Sequence, residues 1–323
     1  MNTTLKSVLK ISLPLLLGAF LVWYSVSKIS VEILLGYFKN ADYFWIGLGV
    51  FFGLLSHLSR AYRWKFMIEP MGYQLRLPNS IMAVFITYLV NYTIPRAGEV
   101  SRATILTNYE GVPFEKGFGT IIAERVADLL VMFCIISLSL VLEFDIIYKY
   151  LAMALDPTKL IIFGLVGVLI LAVGYQLFNS SNHPFVLKIK SLLLGLVEGI
   201  SSILKMKKKW AFLAHTLFIW VMYVLMFYVT SFSLAETSQL PFSAILIGFI
   251  FASFSIAATN GGIGSYPLAI YAAFSIFNIS EDPSIAFGWI MWTSQTVMII
   301  ILGGLSLLFL PIYNKVYPKQ TSK

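Results

Sequence analysis

The sequence predicts an all-α polytopic membrane protein with about 6–8 transmembrane helices, two of its segments being re-entrant or broken hairpins of opposed sense. Three observations carry this prediction. Of the 323 residues, 59% are hydrophobic and 12% charged; a soluble domain carries about 25% charged residues. The chain cannot cover a water-facing surface of its own size, which excludes a soluble globular enzyme and a disordered chain. The apolar residues also come in blocks of about 17–25, the length that crosses the hydrocarbon core as helix. Finally, the basic residues behind the net charge of +8 sit in short segments between those blocks, as cytoplasmic loops of membrane proteins do. Residues 1–323 therefore read as a single integral membrane domain.

The elements follow in chain order. Lys6 and Lys10 precede an apolar run from Ile11 to Ser27. No small-x-small cleavage pattern follows it, and Trp23 and Tyr24 stand near its end like interface anchors, so it reads as an uncleaved first span rather than a signal peptide. Tyr43 to Ser59 is the next span, followed by Arg60, Arg63 and Lys65. Residues 79–94 are apolar but short and stop at Pro95; residues 117–142 are long and contain Glu124, Arg125 and Asp128. Residues 160–178, 210–232 and 285–310 are long enough to span. Residues 241–258 and 265–278 are shorter apolar pieces flanking Asn260-Gly261-Gly262-Ile263-Gly264. Residues 185–204 alternate with helical period and end in a lysine cluster, Lys205 and Lys207 to Lys209, which predicts an interfacial helix on the cytoplasmic side.

Charge sets the topology. If 79–116 dips into the membrane and returns to the same side, eighteen of the 23 basic residues lie inside and only Lys28, Lys39, Lys149 and Lys159 outside. A full crossing at 79–94 would put the lysine-rich 183–209 segment outside. The first arrangement obeys the positive-inside rule far better; both termini are then cytoplasmic. Residues 43–142 become span, dip, span, and 210–310 repeat that order inserted the other way. Phe85-Ile86 and Phe249-Ile250, Gly98 and Gly262, and Ser101 and Ser265 share one offset, consistent with an inverted repeat.

Three clusters can carry chemistry. In Asn91-Tyr92-Thr93-Ile94-Pro95-Arg96-Ala97-Gly98-Glu99-Val100-Ser101-Arg102, Pro95 disfavours helix and Gly98 frees the backbone. Non-helical backbone at membrane depth must be buried in protein or line a wet cavity, which would bring Arg96, Glu99 and Arg102 to that cavity. Arginine holds phosphate with two prongs; an interfacial loop with both arginines on lipid head groups uses the same residues. Glu124, Arg125 and Asp128 lie within one long apolar helix, with Glu124 and Asp128 four apart on one face. Each such charge costs roughly 2.5–3.5 kcal/mol at a span's centre, so the three form either a salt-bridge lock or a site for a charged head group or proton. Asn260, Gly261, Gly262 and Gly264 can turn the chain sharply and expose amides, or allow a close helix crossing. Cys134 reads as a small packing residue, His57 as a polar interface residue, and most Tyr and Trp as an interface belt. The three histidines have no ligand spacing and no basic stripe carries interleaved aromatics, so no metal, cofactor or nucleic-acid partner is expected.

Arg63-Trp64, Pro95-Arg96-Ala97-Gly98-Glu99-Val100-Ser101-Arg102, Glu124-Arg125-Val126-Ala127-Asp128 and Gly261-Gly262-Ile263-Gly264, in this order, resemble the lysylphosphatidylglycerol synthase transmembrane-region family of flippase-like integral membrane proteins, over roughly residues 10–312. The family includes the membrane half of the bacterial multiple peptide resistance factor, which moves aminoacylated phosphatidylglycerol between leaflets. The resemblance implies a lipid translocase of the bacterial cytoplasmic membrane with a membrane lipid as substrate; together with the clusters above, the candidate site comprises Arg96, Glu99, Arg102, Glu124, Arg125, Asp128, Asn260, Gly261, Gly262 and Gly264. Asn260 and Pro267 depart from the family pattern, which often has proline before the double glycine and an acid after the third. With the chain stopping at Lys323, no aminoacyl-transfer domain is expected, and a non-enzymatic role follows. An intramembrane enzyme acting on a lipid or polyprenyl-phosphate head group and an accessory scaffold for cell-envelope synthesis are the alternatives; the oligomeric state, a homo-oligomer included, stays open.

Overall fold

A computed structural model describes residues 16–94, 96–144 and 206–318, with positions 162, 165, 166, 187 and 203 between them. The described chain is all-helical: α1 Leu16–Ser27, α2 Val31–Asn40, α3 Tyr43–Ile68, α4 Leu77–Thr93, α5 Ala97–Glu110, α6 Phe114–Leu142, α7 Lys209–Ser231, α8 Phe242–Ala258, α9 Ser265–Phe274 and α10 Glu281–Val316. The starts are written in the sequence. The Ser30 hydroxyl accepts from the Ile33 amide to open α2, and the Asp42 carboxylate accepts from the Phe44 amide to open α3, satisfying donors a helix start leaves free. Pro78 stands in the first turn of α4, where its missing N–H is not needed. Gly111, at φ 63°, ends α5 with its N–H on the Leu106 and Thr107 carbonyls.

Four helices among the described residues are long and apolar enough to cross a bilayer: α3 with its 3-10 extension to Met71, α6, α7 and α10. The pair α1 and α2, bent by 83°, makes a fifth if counted as one broken span. Large apolar side chains on these helices stay exposed, Leu307, Leu308 and Phe309 of α10 among them, as lipid-facing surfaces require. Apart from those isolated positions, the predicted span at 160–178 and interfacial helix at 185–204 lie outside the described residues, as does Pro95.

Two compact units divide the chain, one of Met1–Ile122 with Met206–Lys323 and one of Ala123–Lys205; α6 starts in the first and continues into the second. In the first unit α3 and α7 pack antiparallel along their lengths. Gly49 lies against Met226 and Thr230 and Gly53 against Met226, while at the other end Arg63 reaches Thr216 and Phe212. The pairs α4/α5 and α8/α9 are the two short hairpins, and both first arms are 17 residues long. Helices α3, α4, α5 and α6 start about 165 residues before α7, α8, α9 and α10 respectively, so the order of elements repeats, and α3 runs antiparallel to its counterpart α7.

Helix α10 measures how the hairpins meet. Near its start Gly288 lies against Pro267, and one turn later Trp292 Nε1 donates to the Gly261 carbonyl (2.8 Å), at the tip of the second hairpin. Next along α10, Thr296 Oγ1 donates to Tyr92 Oη (3.2 Å), near the tip of the first. Gly303 then packs on Phe85 and Leu89, and Asn314 bonds Asn79 at the first hairpin's base. The hairpins thus approach from opposite ends of α10, and their tips meet about one helical turn apart. At the base of the second hairpin, Phe227 meets Phe249, Phe274 and Phe287 edge to face, while Phe274 and Phe287 stack on each other. At the base of the first, Arg76 donates from Nε to Glu110 (3.1 Å) and from Nη2 to the Tyr109 carbonyl and Asn314 Oδ1, while Asn79 Nδ2 donates to Glu110. This polar clamp ties both arms of the hairpin to the end of α10.

Candidate functional site

Helix α3 does not stop at Ser59. It continues through Ile68, and Ser56, His57, Arg60, Arg63 and Trp64 are all buried. Their spacing puts them on one helical face. Arg60 and Arg63 are therefore not loop charges, and His57 is not an interface residue: it sits 4.5 Å from the Tyr88 ring and 5.7 Å from Phe85, centroid to centroid. Arg63 Nη1 donates to Thr216 Oγ1 at 2.7 Å, with its guanidinium 5.0 Å from the Phe212 centroid. Trp64 Nε1 donates to Thr120 Oγ1 at 2.8 Å, which fixes the indole plane. Arg102, 2% exposed, lays its guanidinium on that plane, 3.9 Å from the centroid. Stacking on aromatic faces is how a weakly hydrated guanidinium is held at low water content. The first unit thus concentrates the buried guanidiniums of Arg60, Arg63 and Arg102 beside the first hairpin. Trp64, Trp220 and Trp289 are buried as well, so the tryptophans are less of an interface belt than their number suggests.

The remaining predicted residues divide. Arg96 is exposed, in a left-handed turn at φ 60°, and does not join Arg102. Asn91 holds the first turn of α5: its Oδ1 accepts from the Gly98 amide (2.8 Å) and its Nδ2 donates to Glu99 Oε2 (3.3 Å). A Cβ at Gly98 would overlap the Thr87 carbonyl, so glycine lets α5 fold back onto α4. In the second unit Glu124 and Asp128 are buried, at 1% and 7% exposure, on their shared face of α6. The Arg125 side chain is 42% exposed, with Nη1 3.9 Å from Asp128 Oδ2. Cys134 is exposed rather than packed.

The glycines of the second hairpin turn the chain and admit neighbours. Gly261, Gly262 and Gly264 have φ of 64°, 79° and 68°, values only glycine adopts without strain. A side chain at Gly261 would strike the Tyr92 ring, and one at Gly264 the backbone of Leu21 and Val22. Asn260, 7% exposed, has its Nδ2 enclosed with no hydrogen-bond partner among the described residues. It borders a groove of about 660 Å³ between α1 and the two tips, together with Tyr92 and Ile263.

Sequence reasoning missed the inward face of Arg60 and Arg63. The helical spacing from Ser56 to Trp64 is the signal that finds it. It also missed that Tyr92 touches the second tip, for which the sequence holds no local signal.

A curated relative, the UPF0104 membrane protein MJ1595 of Methanocaldococcus jannaschii, is 28% identical over 128 residues, covering 39% of this chain. The chain spans 37% of that relative's length. No solved structure matches. The family described as lysylphosphatidylglycerol synthase TM region matches residues 11–304, nearly the whole chain. With its polytopic helical architecture and that match, the chain is an integral membrane protein belonging to the lysylphosphatidylglycerol synthase TM region family.

Proposed function

We propose that the protein moves a phospholipid or glycolipid, an aminoacylated phosphatidylglycerol being the class the family name suggests, between the leaflets of a bacterial cytoplasmic membrane. It acts as a transporter and not as an enzyme. The observation that carries this reading is the meeting of two opposed hairpins within one turn of α10, in a unit whose buried arginines lie beside the first hairpin. Broken helices that meet between inverted repeats are where transporters bind their substrates, and arginine suits a lipid phosphate. In the second unit, buried Glu124 and Asp128 supply negative charge suited to a cationic head group. The basic residues Lys65, Arg76 and Lys116 and the lysines of 188–209 support placing both termini in the cytoplasm.

Proteoliposomes containing a fluorescent phosphatidylglycerol test this. Arg102→Ala and Glu124→Ala should each abolish crossing while the purified variants keep a cooperative melt. Normal crossing in both removes the site assignment. The burial of two carboxylates on one helix face also fits a second reading, acid and base catalysis on a lipid head group. Turnover of a lipid by the purified protein, followed by mass spectrometry, would favour that enzyme over the transporter.

A further inference from the structure

The groove beside α1 lies apart from the arginine group, and its two ends differ in chemistry. Gly18, Ala19, Val22, Trp23, Val26 and Ser27 form its α1 wall, a single face of the helix by their spacing. The wall is about 13 Å long at 1.5 Å per residue, close to half of the roughly 30 Å hydrocarbon core, the depth of one leaflet. One residue beyond Ser27 stands Lys28, more than a third exposed, its Nζ 3.7 Å from Glu281 and 5.5 Å from the Tyr24 ring centroid. An exposed pair of this kind is worth little and can open to a phosphate. At the inner end are the hairpin tips and Asn260, whose enclosed Nδ2 has no partner among the described residues. Turning the carboxamide about its terminal bond exchanges nitrogen and oxygen, which would give a ligand oxygen at that end a donor. A purely hydrocarbon occupant would leave that donor unsatisfied.

We propose that this groove is the lateral path of a glycerophospholipid: one acyl chain lies against α1 with the phosphate on Lys28, and the head group's next hydrogen-bond station inward is Asn260. The volume, about 660 Å³, is within the range of about 300–1,000 Å³ that small-molecule sites use. The proposal rests on the lipid-transport reading for its occupant, and it adds an entry from the side, between α1 and the tips, on the leaflet that Lys28 faces.

The test measures occupancy, not movement. The full chain in nanodiscs is photolabelled with phosphatidylglycerol carrying a diazirine at the end of one acyl chain, and labelled peptides are mapped by mass spectrometry. Label should concentrate in residues 16–28 and 259–264. Ala19→Phe, which fills the groove, should lower it at least fivefold. A diacylglycerol with the same diazirine should label about fivefold less, the effect of one lysine on a phosphate near the surface. A phosphatidylglycerol with the diazirine on its head group should label 259–264, and Asn260→Leu should reduce that label about threefold. Chain label insensitive to Ala19→Phe, or lying elsewhere, overturns the path; equal labelling by diacylglycerol overturns the phosphate contact; head-group label absent from 259–264 overturns the inner station. Should Ala19→Phe fail to fold, Val22→Phe fills the same wall. Labelling without lipid crossing would sink the transport reading and leave the path standing, whereas crossing without labelling would do the reverse.

Discussion

The stacking of Arg102 on Trp64 can be measured as an energy. The guanidinium lies 3.9 Å from the indole centroid, and Trp64 and Arg102 are almost wholly buried. An exposed cation–π contact is worth about 0.5–1 kcal/mol and a desolvated one about 2 kcal/mol or more. The single changes Trp64→Leu and Arg102→Met both remove more than the stack. The first also loses the indole hydrogen bond to Thr120, worth about 0.6 kcal/mol within a membrane, and leaves a cavity. The double-mutant cycle cancels those extras. We expect a coupling of about 2 kcal/mol, read from unfolding free energies in bicelles. Arg102→Lys should recover less than half of it, because an ammonium lacks the planar face and is more strongly hydrated. A coupling below about 0.5 kcal/mol would show that the indole does not hold the arginine, and the site would lose its anchor.

Other outcomes follow from the same contacts. Glu110→Ala removes the acceptor shared by Arg76 and Asn79 and should destabilise the protein by about 3 kcal/mol; Glu110→Gln, which keeps one acceptor oxygen, should lose clearly less in the same unfolding assay. Gly264→Ala puts a Cβ against the Leu21 and Val22 backbone at φ 68° and should cost about 2–3 kcal/mol, with faster proteolysis within α1. Single cysteines replacing Lys28 and Arg76, which neighbour opposite ends of α10, should react with a membrane-impermeant maleimide from opposite sides of sealed vesicles. Labelling of both from one side would contradict the opposed hairpins.

Much of the fold is legible in the chain because the bilayer imposes a length: the predicted 210–232 and 241–258 segments match α7 and α8 within two residues. Boundaries slip where charge is read as a stop. Arg60 and Arg63 suggested a helix end, yet both lie inside α3, because an inward face can accommodate the charge. The hairpin breaks at 94–96 and 259–264 follow from proline and glycine chemistry, and the burial of Arg102, Glu124 and Asp128 from the energy of charges in lipid. What the chain does not spell out is side-chain direction across elements. Arg96 and Arg102 are six residues apart in one motif, yet one is exposed and the other stacked on a tryptophan from α3. Nor does any local pattern tell Gly264 that its neighbour is the backbone of α1.

Trp292 and Thr296 stand four residues apart on one face of α10, and each grips a different hairpin. Because both side chains project from that one face, an axial rotation of α10 would carry them the same way and strain both grips together. The two tips are thus held by a common bolt: a change that loosens α10 on one of them reaches the other through the same helix face.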